Sequence, residues 1–580
     1  MKHALSYQKN HPNPQLFRKN YLLLNGKWDF AFDENNVGRI EKWFIKFPLI
    51  LKINVPYSYQ SISSGINDSR KCDVVWYHRD INFEKISEVE ELIFNGVDYL
   101  SEVYINGNLV FLHEGGYDIF RVDIAKYLHL GSNSLTLRIE DKMHVDQIRG
   151  KQRWKKDSFE CFYKETSGIF KDVYLESLNK SHITNFRFVP DFSNKKVSIE
   201  LSTIYSLNKI ITIKISLNNN LIKKEKLAIA KDNENIEIKI DNPEKWTIES
   251  PQLYDVELLL TNEKEENEDL ILTYFGFNNC STNKGHILLN NDDKYLKLIL
   301  DQGYYPKGLL TGTEKQFIDD ILEMKKMGFN GCRKHEKIES PLFYYYCDLL
   351  GFYIWQELPS GYKYSYEYFL SITKQVTQEI KDHYNHPSLI AYVIFNESWG
   401  INEIYKDTVE QENTVELYKL VKEHVNDRFV ISNDGWEHTK SDLLTFHNYN
   451  ETYESLFSLY QTSIKEIKKG NNALINTNRY AYADGFKYNN EPILLTEFGG
   501  ISFNKDAKNG WGYGNGVKNK KEYVEKLALQ MKAIKDTKDI RGYCLTQLSD
   551  VESEVNGLLN FERKEKVSSK EILKLNKMFD

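Results

Sequence analysis

Two glutamates, Glu397 and Glu497, stand where an acidic side chain is usually either paired or used chemically. Glu397 follows the run Ile-Ala-Tyr-Val-Ile-Phe-Asn, and Glu497 follows Pro-Ile-Leu-Leu-Thr. Such apolar runs predict strands that are buried on both faces, where a carboxylate is costly unless it is paired or reacts. Two opposed carboxyl groups can supply a proton donor and a nucleophile, the combination that cleaves a glycosidic bond. Taken alone, either glutamate could equally be a structural acid bonded to a loop or a cation.

Other polar side chains follow the remaining predicted strands of the same region. They are Asp301, Arg333, His335, Glu357, Asn396, Asp434, His447 and Tyr449. If these strands form a parallel barrel, their carboxyl ends meet on the face where such folds carry out catalysis. We expect these residues to line a substrate site, and Arg333 to keep Glu497 ionised.

The elements that must position these residues begin at about residue 285, where short apolar strands alternate with amphipathic helices. Helices with one apolar stripe are predicted near residues 317–328, 369–380 and 523–534. The links around the fifth to seventh strands are the least regular. The pattern fits a C-terminal (β/α)8 TIM barrel, with eight strands at 295–300, 331–335, 352–358, 390–396, 429–433, 443–447, 493–497 and 542–547.

The first half of the chain is predicted to be all β. Between about 25 and 176, short alternating strands indicate a β-sandwich, and Asn106-Gly107 predicts a type I′ hairpin because both residues tolerate positive φ. A second β block at about 183–278 has the length of an immunoglobulin-like sandwich. We therefore predict three domains: a β-sandwich at 1–180, an immunoglobulin-like β-sandwich at 181–282, and the barrel at 283–580.

Composition narrows the class of protein. A net charge of −7 over 580 residues provides no basic field for nucleic acid or anionic lipid. We see no signal-peptide core and no apolar stretch of the ~18 residues that span a bilayer, so a cytoplasmic protein is expected. The six cysteines lack the spacing of metal sites or disulfide frameworks, and we predict reduced thiols. Aromatic residues make up 13% of the chain, which suits stacking on sugars but also sandwich cores.

Several separate stretches resemble glycoside hydrolase family 2, the β-galactosidase, β-glucuronidase and β-mannosidase group. The resemblance runs from about residue 21 to 560, and the order of the stretches makes it specific. The first three stretches are similar to the family's jelly-roll sugar-binding domain, the next two to its middle sandwich, and the last four to its barrel. They are Phe94-Asn-Gly-Val-Asp98 through Val103-Tyr-Ile-Asn-Gly107, His113-Glu-Gly-Gly-Tyr117, Thr166-Ser-Gly-Ile-Phe-Lys-Asp-Val-Tyr-Leu-Glu176, Trp246 to Tyr254, Tyr274-Phe-Gly-Phe277, Gly328-Phe-Asn330 with Arg333, Asn385-His-Pro-Ser388, Asn396-Glu397 and Thr496-Glu-Phe-Gly499.

The resemblance implies a retaining double displacement, with carboxyl groups ~5–5.5 Å apart. Glu497 would be the nucleophile that forms a covalent glycosyl-enzyme, and Glu397 would act first as acid and then as base. Asn396 would stand where the family's asparagine binds the sugar 2-hydroxyl, and His447, Tyr449 and Trp511 would be candidates for lining the sugar pocket. For Trp511, core packing explains the residue nearly as well. No metal or organic cofactor is needed, the substrate would be an oligosaccharide or glycoconjugate, and the resemblance is compatible with a homo-oligomer.

Departures from the family pattern fall on substrate recognition. The usual Arg-x-x-His becomes Arg333-Lys-His335-Glu, and the Asn-x-Lys of the glucuronidases becomes Asn556-Gly-Leu558. The segment 545–550 lacks the usual tryptophan. We therefore expect an exo-β-glycosidase that acts on a terminal neutral sugar, and a β-galactoside is the substrate that we favour first.

Three alternatives remain open. A β-glucuronide or β-galacturonide is the first, with its carboxylate bound by the cations Lys307, Arg333, Lys334 and His335. A β-mannoside is the second. The third belongs to a different class: a catalytically silent carbohydrate-binding protein that keeps the fold.

Overall fold

The structure is a computed structural model that describes residues 11–49, 51–503 and 510–580. Within these ranges the chain forms 30 β-strands and seven α-helices, arranged as two β-sandwiches followed by a barrel. None of the helices in this part of the chain is long and apolar enough to cross a membrane. All six cysteines are buried and free of disulfides.

The first sandwich is antiparallel. Its larger sheet has the order β3-β2-β4-β10-β7-β8, its smaller sheet β1-β12-β5-β9, and β6 pairs with β11. The hairpin between β7 and β8 turns at Asn106 and Gly107, whose φ angles are 49° and 79°, as the sequence predicts. The strands are β1 Tyr21–Leu23, β2 Gly26–Phe32, β3 Leu51–Val55, β4 Val74–Phe83, β5 Val89–Phe94, β6 Val97–Asp98, β7 Leu100–Ile105, β8 Asn108–Glu114, β9 Phe120–Asp123, β10 Gly131–Glu140, β11 Gly168–Ile169 and β12 Val173–Leu178.

A long loop leaves this sandwich between β10 and β11. Residues 141–167, which we call the sandwich loop, contain only isolated bridges and no regular strand or helix. The loop lies against the barrel: the Arg149 and Gly150 amides donate to the Ser360 carbonyl at 3.0 Å, and the Tyr362 amide donates to the Val145 carbonyl at 2.6 Å. The first domain therefore contributes residues to the barrel mouth.

The second sandwich has sheets of three and four strands, β13-β14-β17 and β16-β15-β18-β19, the division of an immunoglobulin-like domain. Alternating residues of β14 and β15 face its core, as the period-two pattern predicts. A small hairpin sheet, β20-β21-β22, leads to the barrel, and the boundaries 180/181 and 282/283 remain our proposal. The strands are β13 His182–Asp191, β14 Lys196–Ile204, β15 Ile210–Leu217, β16 Asn220–Ala228, β17 Asn233–Lys239, β18 Tyr254–Thr261, β19 Asn267–Phe275, β20 Cys280–Asn283, β21 His286–Leu289 and β22 Asp292–Asp293.

The barrel contains all eight predicted strands, each within two residues of its expected ends, and every pairing between them is parallel. The strands are β23 Leu296–Asp301, β24 Gly331–Lys334, β25 Tyr353–Glu357, β26 Leu389–Asn396, β27 Phe429–Asp434, β28 Leu444–His447, β29 Ile493–Gly499 and β30 Ile540–Thr546. The helices are α1 Glu314–Lys326, α2 Pro341–Leu350, α3 Tyr366–His383, α4 Thr408–His424, α5 Tyr453–Lys468, α6 Lys520–Asp536 and α7 Ser569–Asn576.

The irregular part of the sequence corresponds to a seam in the barrel. No helix separates β27 from β28, and these two strands lie at the ends of the eight-stranded order. The Asp442 amide donates to the Val430 carbonyl at 2.9 Å, and the His447 amide donates to the Gly435 carbonyl at 3.3 Å. These contacts hold the two edge strands next to each other, so that the barrel is nearly closed.

Candidate active site

The two glutamates lie at the carboxyl ends of β26 and β29 and converge on one histidine. One carboxylate oxygen of Glu397, one of Glu497 and a ring nitrogen of His447 all lie within 4.8 Å of one another. Nδ1 of His447 is 2.7 Å from Oε1 of Glu397 and 3.5 Å from Oε2 of Glu497. Both acidic side chains therefore face the same small volume at the mouth of the barrel.

The backbone at the end of β26 turns sharply to present Glu397. Glu397 and Ser398 have φ angles of 51° and 60°, in the left-handed region that non-glycine residues rarely adopt. Each such residue costs about 1–3 kcal/mol unless its surroundings hold it. The Glu397 amide donates to the Asp434 carbonyl at 2.9 Å, and the Ser398 amide donates to Oδ1 of Asn433 at 3.0 Å. The end of β27 thus holds the strained turn in place.

Arg333, at the third position of β24, is fully buried and joins four neighbouring strands. Its Nε donates to Oε2 of Glu357 at 2.6 Å, and one terminal nitrogen donates to Oδ1 of Asn396 at 2.7 Å. The other terminal nitrogen donates to Oε1 of Glu497 at 2.9 Å and lies 3.1 Å from Oδ2 of Asp434. A guanidinium stays charged at all accessible pH values and binds carboxylates through fixed directions. It therefore neutralises and orients the acidic groups of the barrel centre.

His447 and Asp434 form the charged seam between β27 and β28. Burial opposes ionisation of Asp434, but Arg333 and His447 outweigh it, so the pKa of this carboxyl lies well below its usual value. Burial also opposes the charge on His447, yet Glu497 and the hydrogen bonds to Asp434 and Glu397 raise its pKa to about 10. The raised pKa favours the imidazolium form of His447, which can donate a hydrogen bond from Nδ1 to Oε1 of Glu397.

A tyrosine holds the second oxygen of Glu497. The Tyr449 hydroxyl donates to Oε2 of Glu497 at 2.5 Å, and burial beside this carboxylate raises the pKa of Tyr449 well above its usual value. The Tyr449 ring stacks on Tyr513 with centroids 3.4 Å apart, and Trp511 packs on Tyr513 at 5.0 Å. Trp511 is thus two rings removed from Glu497.

Each domain of the chain matches a part of one protein family. Residues 22–179 match "Glycosyl hydrolases family 2, sugar binding domain", residues 181–278 match "Glycosyl hydrolases family 2", and residues 308–574 match "Glycosyl hydrolases family 2, TIM barrel domain". The chain belongs to glycoside hydrolase family 2. This confirms the resemblance and the three-part fold predicted from the sequence.

Curated relatives of this family 2 chain have two kinds of name. A protein of Formosa agariphila named "Putative beta-glucuronidase" is 25% identical over 441 residues, which are 72% of this chain and 52% of that protein. A protein of Thermoanaerobacter pseudethanolicus named "Beta-galactosidase" is 25% identical over 411 residues, 67% of this chain and 52% of that protein. The chain therefore spans about half the length of these relatives.

Solved structures of family 2 proteins resemble the chain over nearly its whole length. The β-glucuronidase of Ruminococcus gnavus superposes with a TM-score of 0.80 at 17% identity, covering 97% of this chain and 98% of that one. A β-galacturonidase of Eisenbergiella tayi superposes with a TM-score of 0.76 at 17% identity, covering 97% of both. At this level of identity the likeness shows the shared fold.

Two of the residues predicted for the site, Asp301 and Lys334, lie on the outer side of the barrel wall, which faces the helices. Asp301 and Lys334 are paired across β23 and β24, and the Lys334 ammonium binds Oδ2 of Asp301 at 2.6 Å and lies 3.9 Å from the Phe343 ring of α2. Side chains alternate along a strand, so Arg333 points into the barrel and Lys334 towards the helices. The predictions that Asp301 lines the site and that Lys334 binds a carboxylate there are therefore wrong. Lys307 is exposed on the loop after β23.

His335 remains at the mouth as a neutral ring. Its Nδ1 is 3.1 Å from Oε2 of Glu357. Burial, with the charges of Lys151 and Arg333, holds the pKa of His335 well below its usual value. The imidazole therefore carries no charge with which to attract an anion.

Sequence reasoning misses three aromatic or charged residues that the structure brings to the site. Trp436, two residues after Asp434, packs edge-on against His447 with centroids 5.6 Å apart. Trp399, two residues after Glu397, has its ring centroid 6.3 Å from that of His335. These two indoles stand beside the mouth in this family 2 barrel, whose eighth strand lacks a tryptophan. Their positions just after strand ends are a signal that could have identified them.

The third missed residue is Lys151, from the sandwich loop. Its ammonium lies 4.7 Å above the Trp399 ring and 5.6 Å from the Phe162 ring. The sequence signal is the length of the loop, because irregular segments longer than about 12–15 residues within a compact domain are usually either functional or disordered.

Glu397, His447 and Glu497 also have the spacing of a three-ligand cation site. Carboxylates and imidazole are ligands for many divalent metals. Glycosidic cleavage by two carboxyl groups needs no metal, because the proton donor and the nucleophile are both side chains.

Proposed function

We propose that this chain is a retaining exo-β-glycosidase in which Glu497 is the nucleophile and Glu397 the acid/base. The observation that carries the proposal is the spacing of the two side chains: a carboxylate oxygen of Glu397 lies within 4.8 Å of a carboxylate oxygen of Glu497. Retaining enzymes hold their carboxyl groups about 5–5.5 Å apart, whereas inverting enzymes need about 6.5–9.5 Å to admit a water molecule between them.

The proposed reaction has two displacements. In the first, an oxygen of Glu497 attacks the anomeric carbon, the glycosidic bond breaks, and Glu397 transfers its proton to the leaving oxygen. In the second, Glu397 takes a proton from a water molecule as that water attacks the anomeric carbon and releases Glu497. The bonds from Arg333 and Tyr449 to Glu497 hold its carboxylate in position for the attack in the first step.

Asn396 supports the assignment of a sugar site beside the pair. Its Oδ1 accepts from Arg333, while its buried Nδ2 has no hydrogen-bond acceptor among the described residues. A buried donor without a partner costs about 1–3 kcal/mol, which a ligand hydroxyl can recover. We propose that this amide binds the sugar 2-hydroxyl, as the family resemblance implies, with His447, Tyr449 and Trp436 around it.

We propose a terminal β-uronide, a β-glucuronide or β-galacturonide, as the substrate class, in place of the β-galactoside that the motifs favoured. Two observations support it. The Formosa agariphila relative carries a glucuronidase name, and the structures that the chain matches over nearly their whole length act on uronides by their titles.

The test is hydrolysis of a panel of p-nitrophenyl glycosides by the wild type and by Glu497→Ala. We expect the β-glucuronide or β-galacturonide to react fastest, and Glu497→Ala to lower kcat by at least about a thousandfold, as loss of a nucleophile does. Proton NMR of the first product should show the β-anomer. Background signal from both proteins on every substrate would indicate a silent sugar-binding protein, and an α-anomer would contradict the retaining mechanism.

A further inference from the structure

Lys151 is a buried cation that the first domain delivers to the barrel. It is 5% exposed, and its backbone carbonyl accepts from the Tyr163 amide at 2.8 Å. Its ammonium packs against the faces of Trp399 and Phe162. Cation–π contacts of this kind hold a charge without neutralising it.

No carboxylate of the described residues is within 4.0 Å of the Lys151 ammonium, so it has no ion-pair partner among them. Three glutamates act on its charge from further away: Glu554, Glu497 and Glu336. Burial opposes the charge, but the neighbouring Cys161 sulfur and, after it, these glutamates outweigh it and keep the pKa of Lys151 above its usual value. Lys151 is therefore a protonated amine that is largely removed from water.

The neighbouring glutamates are already engaged by other groups. Glu554 accepts from the Tyr163 hydroxyl and from the Asn556 amide at 3.0 Å. Glu336 accepts from the Ser360 hydroxyl at 2.8 Å and from the Ser360 amide at 2.6 Å. An unpaired buried charge costs several kcal/mol. A ligand that brings its own negative charge would recover much of that cost.

Two other cations close to the acidic pair have no such capacity. Arg333 is bonded to Glu357, Glu497 and Asn396, and Lys334 lies on the helix side of the wall. The resemblance places the lysine of the glucuronidase motif Asn-x-Lys at position 558. This chain has Leu558 there, and Leu558 is fully buried. An anionic substrate must therefore be recognised by another residue.

We infer that Lys151 binds the carboxylate of the terminal sugar and so gives the enzyme its preference for uronides. This inference rests on the proposed function. The carboxylate of a uronic acid is carried on C5, which is joined to the anomeric carbon through the ring oxygen. With the anomeric carbon at Glu497, the carboxylate of the sugar lies within about one sugar ring of this nucleophile. The charge of Lys151 acts on Glu497 in the same region. The Trp399 indole offers an apolar face to the same region.

The experiment compares three variants: Lys151→Met, Lys151→Arg and the control Lys156→Met. Lys156 is exposed on the same loop, so its replacement removes the same charge without entering the site. We measure the ratio of kcat/KM for the p-nitrophenyl β-uronide to that for the matching neutral β-glycoside. Lys151→Met is expected to lower this ratio about ten- to a hundredfold, the value of one hydrogen bond to a charged group. Lys156→Met should leave it unchanged, and Lys151→Arg should keep most of it.

A second measurement needs no turnover. Free glucuronate or galacturonate should raise the Tm of the wild type and of Lys156→Met but not that of Lys151→Met, because a ligand stabilises only the protein that binds it. An equal loss by Lys151→Met on charged and neutral substrates, with unchanged uronate binding, would overturn the inference.

Two further outcomes are distinguishable. If the wild type hydrolyses neutral sugars and no uronide, the proposed substrate class is wrong and the role of Lys151 in uronide preference is refuted with it. If Lys151→Met affects only a neutral β-glycoside with a carboxyphenyl leaving group, the lysine serves the leaving group, and the assignment to the terminal sugar is refuted.

Discussion

Arg333 is the residue on which the geometry of the acidic cluster depends. It contacts groups from β25, β26, β27 and β29 while remaining fully buried. Removing one partner of a buried ion pair commonly costs about 3–5 kcal/mol, because the remaining charge is left without a partner. Arg333 is bonded to three carboxylates at once, so its loss affects stability and catalysis together. It therefore makes a poor probe of catalysis alone.

His447 permits a cleaner test, through pH. Its pKa is about 10 in the folded protein and 6.5 in an ordinary environment, so proton binding favours the folded state. The stabilisation is fully present below about pH 6.5 and is lost as the pH rises through about 10. We expect the difference in the free energy of unfolding between wild type and His447→Gln to shrink between about pH 6 and pH 10.5.

Chemical denaturation of both proteins across this pH range would measure the difference. A difference that stays constant with pH would show that His447 is not held as a cation by Glu497, Asp434 and Glu397. The same variant should also lose activity, because it removes the donor 2.7 Å from Glu397.

At the scale of elements, the seam between β27 and β28 positions two charged side chains of the site. β27 ends with Asp434 and β28 with His447, and no helix separates the two strands. Asp442, on the short connection, holds the seam: its carboxylate accepts from the Val430 amide at 2.8 Å, the Tyr418 hydroxyl at 2.6 Å and the Lys422 ammonium at 2.9 Å.

Asp442→Ala is therefore expected to affect both stability and chemistry. The loss of these bonds should lower the free energy of unfolding by about 1–3 kcal/mol. It should also lower kcat, because Asp434 and His447 lose their fixed spacing. The control is Asp539→Ala, which removes a surface pair with Lys468 and should change stability by less than about 0.5 kcal/mol. An Asp442→Ala protein with normal kcat would show that the seam does not position the site.

The sandwich loop is the other element that decides function. Its residues have no regular secondary structure, so their positions depend on contacts with the barrel. The Tyr163 hydroxyl donates to Glu554, and the Lys164 amide donates to Glu552 at 2.9 Å. These bonds fix the loop on the segment that follows β30, and with it the position of Lys151.

At the scale of the molecule, the second sandwich supports the barrel from the end opposite the active site. Trp246, fully buried, donates from its indole nitrogen to the Asp348 carbonyl of α2 at 2.9 Å and packs on Tyr353 at the start of β25. The glutamates lie at the other ends of the strands. This contact is therefore structural.

Trp246→Ala should separate stability from catalysis. Truncation of a buried tryptophan costs about 3–5 kcal/mol, so the denaturation midpoint should fall markedly. Kinetic constants of the folded protein at low temperature should stay as in the wild type. Trp246→Phe, which keeps most of the packing but loses the hydrogen bond to Asp348, should show a smaller loss. A change in KM for either variant would contradict a purely structural role.

The sequence alone determined the architecture and the two glutamates. Eight apolar runs alternate with amphipathic helices, and this periodicity is local, so each element can be predicted without its neighbours. Glu397 and Glu497 stand out because an acid that ends such a run must lie at the carboxyl end of its strand. The same reasoning placed Arg333, Glu357, Asn396, Asp434 and His447 at the mouth, where the structure brings them together.

Only the tertiary structure decided which strand-end residues face inward and which distant residues join them. Alternation predicts that Arg333 and Lys334 point to opposite sides, but the side that faces the barrel interior depends on how the sheet closes. Asp301 and Lys334 are therefore absent from the site. Lys151 reaches the barrel from another domain through a loop without periodicity, because contacts between distant parts of the chain depend on packing that no local pattern encodes.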